Sequence, residues 1–252
     1  MGRFDGKTAI VTGAGRGLGA AYARALAGEG AAITAADVID TGATVGAISA
    51  TGGRAIGISC DVTNTDQIAA MVGSTVEAFG GVDILVNNAA RVVDFDHGSF
   101  LDIDEAEWDS VMQVNTRGAF SCVKAVAPIM RKTGYGKIVN ISSNFAMGGA
   151  AFASHYAAAK SALSGFTKSW AREFAPYKIC VNAVAPGILE TPMTLGSIGK
   201  ERIDAMIKDI PLGRIAEPID ISYAVAWLAC PETDFMTGQV ISPNGGVTIV
   251  GI

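Results

Sequence analysis

TAIVTGAGRGLG, residues 8–19, decides the fold: a short β-branched run passes through a glycine-rich turn into an alanine-rich segment that begins at Ala20. Short apolar runs bounded by turn residues read as buried strands, and longer runs of helical period between them read as crossovers that make neighbouring strands parallel. The same alternation continues along the chain. Strands are expected at 8–11, 32–35, 55–59, 84–87, 137–141, 180–183 and 240–242, and helices near 18–28, 41–50, 65–79, 105–131, 155–175 and 217–229. The prediction is an α/β chain with one parallel sheet covered by helices on both faces. Segment 187–218 breaks the rhythm, with Pro186-Gly187 at its start, Gly196 and Gly199 inside it, and one short helical stretch around 200–208. Loops after the C-terminal ends of parallel strands form the binding face of such sheets, so 187–218 is expected to be a substrate lid.

The turn itself carries chemistry. Gly13, Gly17 and Gly19 let the backbone turn tightly, admit a pyrophosphate to bare N–H groups and let the helix pack on the strand, while the helix N-terminus attracts the phosphates. The plain alternative is a tight strand-to-helix turn without ligand. Asp37 follows the second strand about 20 residues further on, where a carboxylate can accept from both adenosine ribose hydroxyls and repel a 2′-phosphate. Val38 comes next and not a base, so NAD is favoured over NADP. Arg16 dissents, because a guanidinium near the ribose can accept a 2′-phosphate; it reads equally as a solvated side chain or a pyrophosphate neighbour.

Tyr156 and Lys160 stand four apart in a segment of helical period and therefore share one face. An ammonium near a phenol favours the phenolate, which predicts a lowered Tyr156 pKa and a general base. Ser143 ends the fifth strand at the sheet's binding edge and can hold a substrate oxygen, or it is a strand-end turn former beside Ser142. Asn115 is a poor helix former in the middle of an expected helix, so it either kinks the helix and orients a water or is a satisfied interior amide.

Bulk properties narrow the function classes. At 252 residues the chain is near the upper size for one core, half of it is apolar, and 17% is charged. A net charge of −5 without any Lys/Arg run argues against nucleic acid. The N-terminus has no apolar signal-peptide region and no stretch approaches a membrane span, so a cytoplasmic protein is expected. Cys60, Cys122, Cys180 and Cys230 sit in apolar surroundings and read as buried thiols of a reducing compartment. With only His97 and His155 besides, no metal site is expected.

Taken together, TGAGRGLG at 12–19, Asp37, Asp61-Val62, NNA at 87–89, Asn115, Ser143, YAAAK at 156–160 and PGILET at 186–191 resemble the classical short-chain dehydrogenase/reductase family over essentially the whole chain. The resemblance implies a single Rossmann-fold domain over 1–252, doubly wound on seven parallel strands. It places Arg16, Leu18, Asp37, Asp61, Val62 and Asn88 along the adenosine half of NAD, and Tyr156, Lys160, Ile188 and Thr191 along the nicotinamide half. The family's catalytic tetrad falls on Asn115, Ser143, Tyr156 and Lys160. It also implies a homotetramer built on 105–131, 155–175 and the C-terminal segment. Ala90 departs from the pattern, where a Gly usually completes NNAG. The implied activity is hydride transfer between NAD and an alcohol, ketone or aldehyde. Phe95, Phe145, Met147, Phe152, Met193 and Leu195 flank the site along the sequence and either line an apolar pocket that favours a secondary or aromatic alcohol or are in several cases core residues. Two rivals are an NADP-dependent carbonyl reductase and a dinucleotide-sensing binding protein without chemistry.

Overall fold

The computed structural model describes residues 2–91, 99–151, 153–189 and 200–249. Seven strands among them form one sheet: β1 (Thr8–Thr12), β2 (Ala32–Asp37), β3 (Ala55–Ser59), β4 (Ile84–Asn87), β5 (Gly136–Ile141), β6 (Ile179–Val184) and β7 (Val240–Ile241). Their order is β3-β2-β1-β4-β5-β6-β7, and every neighbouring pair is parallel. The chain winds outward from β1 to β3 and then returns to lay β4 on the other side of β1. That reversal leaves a crevice at the C-terminal ends of β1 and β4.

Helices α1 (Gly17–Gly28), α2 (Gly42–Ala50), α3 (Thr65–Phe79), α4 (Glu105–Met112), α5 (Ala119–Thr133), α6 (Phe145–Gly148), α7 (Ser154–Phe174), α8 (Lys200–Lys208) and α9 (Pro218–Ala229) complete the described elements. Successive strand side chains point to opposite faces, and the core divides accordingly. Val11, Ile84 and Val86 pack with Tyr22 and Leu26 of α1 and Ile221 and Val225 of α9. Ile10, Leu85 and Ile138 point the other way, onto Met71 of α3, Val126 of α5 and Trp170 of α7. Burial on both faces is why the inner strands β1, β2, β4, β5 and β6 run largely apolar, whereas the edge strands β3 and β7 are part-exposed.

Local signals fix the ends. The Asn64 side chain accepts from Asp66 N and Gln67 N to cap α3, and Gly80 closes it at φ 88°. The expected helix 105–131 is not continuous. α4 ends at Met112, a π-helical turn spans Gln113–Gly118, and α5 runs on to Thr133. The interruption centres on Asn115, whose amide is spent on the backbone of Arg91, and a π turn re-aims a side chain by adding a residue to the helical turn. The short α6 was not expected, because four residues show no period. α8 sits where the helical stretch inside 187–218 is expected, while 190–199 of that segment lie outside the described residues.

Candidate active site

The glycines of the first turn meet steric demands of two kinds. Gly13 and Gly17 have φ of 67° and 56°, a region in which a side chain is strained. A Cβ on Gly19 would run into the carbonyl oxygen of Gly13, and one on Gly13 would stand 2.8 Å from Asn88 Nδ2. The turn is also tied down from outside. Asn88 Nδ2 donates to the carbonyls of Thr12 and Gly13 at 2.9 and 3.1 Å, while Thr12 Oγ1 accepts from Asn88 N and Ala89 N, both at 3.1 Å. Asn88 therefore acts first as a clamp between the ends of β1 and β4. Thr12 was not singled out from the sequence; a hydroxyl at the last position of a strand that meets such a turn is the signal that could have found it.

Asp37 ends β2 beside this turn. Its Oδ2 accepts from Gly15 N at 2.8 Å and its Oδ1 from Ile39 N at 3.2 Å. Each carboxylate oxygen keeps a second lone pair, so the group is oriented and still able to accept. Arg16 is exposed at the N-cap of α1 and makes no side-chain capping bond. Asp61 Oδ1 accepts from both the N–H and the hydroxyl of Thr63 at 2.8 Å, and Val62 is buried against Gly118 of the π turn. Leu18 is half-buried on the core's edge.

At the C-terminal ends of β4 and β5 the structure brings the four expected reactive side chains to one side of the sheet. Asn115 is buried, receives Arg91 N on its Oδ1 at 2.7 Å and donates from Nδ2 to the Arg91 carbonyl at 3.0 Å. This is the satisfied interior amide of the two alternatives. It fixes the chain directly after the strand-end NNA. Ser143 is the strand-end turn former: its Oγ accepts from Phe145 N at 3.2 Å at the start of α6, and the same hydroxyl lies within hydrogen-bond reach of Tyr156.

The electrostatics correct one expectation. Lys160 Nζ donates to the carbonyl of Ile141 at 2.8 Å and lies 5.7 Å from the centre of the Tyr156 ring. The phenol is not lowered. Burial pushes Tyr156 up to about 12, with the Ser143 hydroxyl opposing the shift, and burial pulls Lys160 down to about 8. Spacing put the ammonium on the right face, but it donates to the strand carbonyl, and desolvation outweighs the Ser143 hydrogen bond at the phenol.

After β6, the Ile188 carbonyl accepts from Ala216 N at 3.1 Å, and a Cβ on the preceding Gly187 would stand 2.7 Å from Asn244 Cα. Thr191 lies outside the described residues, as do Phe95, Phe152, Met193 and Leu195. Phe145 meets the Tyr156 ring edge-on at 6.4 Å, with Met147 half-buried beside it on α6. Among the described residues no group of three His, Cys, Asp or Glu could hold a metal ion, and no helix is long and apolar enough to cross a membrane.

Residues 13–248 match the family model described as "Enoyl-(Acyl carrier protein) reductase". The short-chain reductase protein NovJ of Streptomyces niveus is 43% identical over 94% of this chain and 92% of its own length. The chain is a short-chain dehydrogenase/reductase. Within that family, 3-oxoacyl-[acyl-carrier-protein] reductase FabG of Vibrio cholerae is 40% identical over 98% of this chain and 99% of the relative. A 3-alpha-(or 20-beta)-hydroxysteroid dehydrogenase of Mycobacterium tuberculosis is 38% identical over 100% and 92%. A crystal structure assigned as a short-chain alcohol dehydrogenase from Sinorhizobium meliloti superposes with a TM-score of 0.91 at 36% identity, covering 96% of both chains. This short-chain dehydrogenase/reductase is thus an oxidoreductase that uses a nicotinamide dinucleotide and a small-molecule substrate. Its residues fit such a dinucleotide: a tight glycine turn in which Gly17 opens on free space, an α1 N-terminus free of side-chain caps, and an oriented carboxylate at the end of β2.

Proposed function

We propose that the protein interconverts a secondary alcohol and its ketone with NAD as the cofactor, Tyr156 transferring the proton. The observation that carries the reading is the convergence of Ser143, Tyr156 and Lys160 at the end of β5, beside a dinucleotide cradle that finishes in Asp37. When bound, a nicotinamide supplies the acceptor for the substrate's hydride in oxidation and the donor in reduction. The Tyr156 oxygen takes the alcohol proton in one direction and returns it to the carbonyl oxygen in the other. Ser143 donates to the substrate oxygen and holds it beside the phenol. Lys160 contributes positive charge behind the ring and donors toward the nicotinamide ribose. Asn115 acts on the backbone of Arg91, keeping the strand-end loop in place under the site. The adenosine half would lie along Gly13, Gly17, Gly19, Arg16, Leu18, Asp37, Asp61, Val62 and Asn88, and the nicotinamide half along Ile188 and Thr191.

Asp37 supports NAD: two oriented oxygens can accept from the ribose hydroxyls, and a 2′-phosphate would meet a negative charge and the exposed apolar Val38 in place of a base. The substrates in the relatives' names, a 3-oxoacyl group and a 3α- or 20β-hydroxysteroid, share a secondary alcohol or ketone carbon. Phe145 and Met147 beside Tyr156 offer that carbon an apolar wall. The same reading makes the protein a cytoplasmic homotetramer. Titration with NAD and with NADP, followed by a screen of secondary alcohols at the nicotinamide absorbance, tests it. Preference for NADP would overturn the cofactor, and dinucleotide binding without turnover of any alcohol or ketone would favour a sensing protein.

A further inference from the structure

α7 carries both Tyr156 and Lys160, yet its N-terminus is plainly built. The cap position is Ala153, which offers no side-chain acceptor, and no acidic residue stands in the first turn. Helix ends of this kind fray, and Tyr156 is only the third residue of the helix. A proton-transferring oxygen must nevertheless be held to a fraction of an ångström. Something other than capping has to fix this turn.

His155, the residue before Tyr156, is fully buried and points away from the crevice toward α4. Its Nε2 meets Glu107 Oε1 at 3.2 Å, and its ring stacks on Trp108 with centroids 6.4 Å apart and planes 23° apart. A carboxylate oxygen only accepts, so Nε2 carries the proton of this bond. The α4–α7 contact continues in Val111, Ala153 and Ala159, a small buried cluster against which Met112 and Tyr156 pack, and in the Thr116 hydroxyl, which donates to the Ala159 carbonyl at 3.4 Å. α4 leads directly into the π turn that bears Asn115. One side chain therefore joins the helix that holds Tyr156 to the helix that leads into the turn bearing Asn115.

We propose that His155 is the positioning residue of Tyr156: anchored to Glu107 and Trp108, it sets the first turn of α7 against α4 and so places the phenol relative to Ser143. The inference rests on Tyr156 as the proton-transferring group and adds a residue to its support. The test compares His155→Leu, His155→Gln, Glu107→Ala and Tyr156→Phe in the full-length protein. His155→Leu should lower kcat about 10- to 100-fold while cofactor affinity and substrate KM stay within about twofold. Amide exchange at 154–158 should accelerate. His155→Gln, whose amide can still donate to Glu107, should recover part of kcat. Glu107→Ala, at a site that reaches solvent, should reproduce the selective loss even if His155→Leu fails to fold. A kcat within about twofold of wild type in Glu107→Ala and in His155→Leu would overturn the proposal, as would a loss that follows the folded fraction and is not relieved by Gln. If Tyr156→Phe turns over normally, the underlying assignment of the proton to Tyr156 fails instead, and the two failures are told apart.

Discussion

On the proposed reading, Asp37 is the residue on which cofactor choice turns. Replacing it by Ala removes an oriented charged acceptor, which should weaken NAD binding by on the order of 1.5–3 kcal/mol and admit NADP; fluorescence titration with both dinucleotides reads this directly, and an unchanged preference would move the choice to another residue. Tyr156 sets the pH behaviour. Burial holds its phenol up at about 12, so the cofactor-free protein carries it protonated at neutral pH. Oxidation needs the ionised form and should rise with pH toward that value, whereas reduction uses the protonated form and should fall across the same range; paired pH–rate profiles check both limbs. Tyr156→Phe should cost a factor of about 10² or more in turnover at nearly unchanged NAD affinity. Lys160 adds an effect on stability. Between about 8 and its ordinary 10.5, the unfolded chain keeps a proton on Lys160 that the native chain has lost, so this group's contribution to stability rises with pH across the window. A Lys160→Met variant should therefore gain most over wild type below pH 8, by up to a few kcal/mol, about 1.4 kcal/mol per pKa unit, and the gap should shrink by pH 10. Denaturation series at several pH values would show it.

The strands were the most legible elements, and 55–59 and 84–87 agree with β3 and β4 to the residue. In β4 an apolar run buried on both faces leaves little room for another reading, while β3 is a part-exposed edge strand. The long helix was legible in position but not in form. Apolar residues recur on one side from Val111 through Cys122, and no periodicity reveals that a π turn has been inserted between them. Only the tertiary partner explains it: the Asn115 amide closes on the backbone of Arg91, 24 residues away. Substituting Asn115 by Leu leaves those two backbone groups without their partner, and a cost on the order of 1–3 kcal/mol is expected, concentrated in faster amide exchange around 89–91. The site was legible as a set of residues, since motif spacing follows the chain. Its electrostatics were not, because the carbonyl of Ile141 that takes Lys160 belongs to a strand 19 residues away and leaves no trace in the helix pattern.

At the scale of the molecule, the reversal of strand order at β1 and β4 gathers loops from distant parts of the chain over one crevice, while the outer helices keep apolar residues exposed. Trp108 and Phe120 do so on α4 and α5, and Ile219, Tyr223 and Trp227 do so at successive turns of α9. Exposed apolar groups at such density mark surfaces that meet protein. The proposed homotetramer predicts four chain masses in light scattering, and a monomer at micromolar concentration would overturn it. The four cysteines have a different use. All are free and buried, and desolvation pushes Cys60 to about 11 and Cys122 to about 12, so the native thiols are both sealed and protonated. Cys60 and Cys122 sit on one face of the sheet and Cys230 on the other. Alkylation under pulse conditions thus becomes a stopwatch for collapse of each layer: simultaneous modification of the three would mean the two halves of the core melt as one body, and stepwise modification would mean one face lets go first.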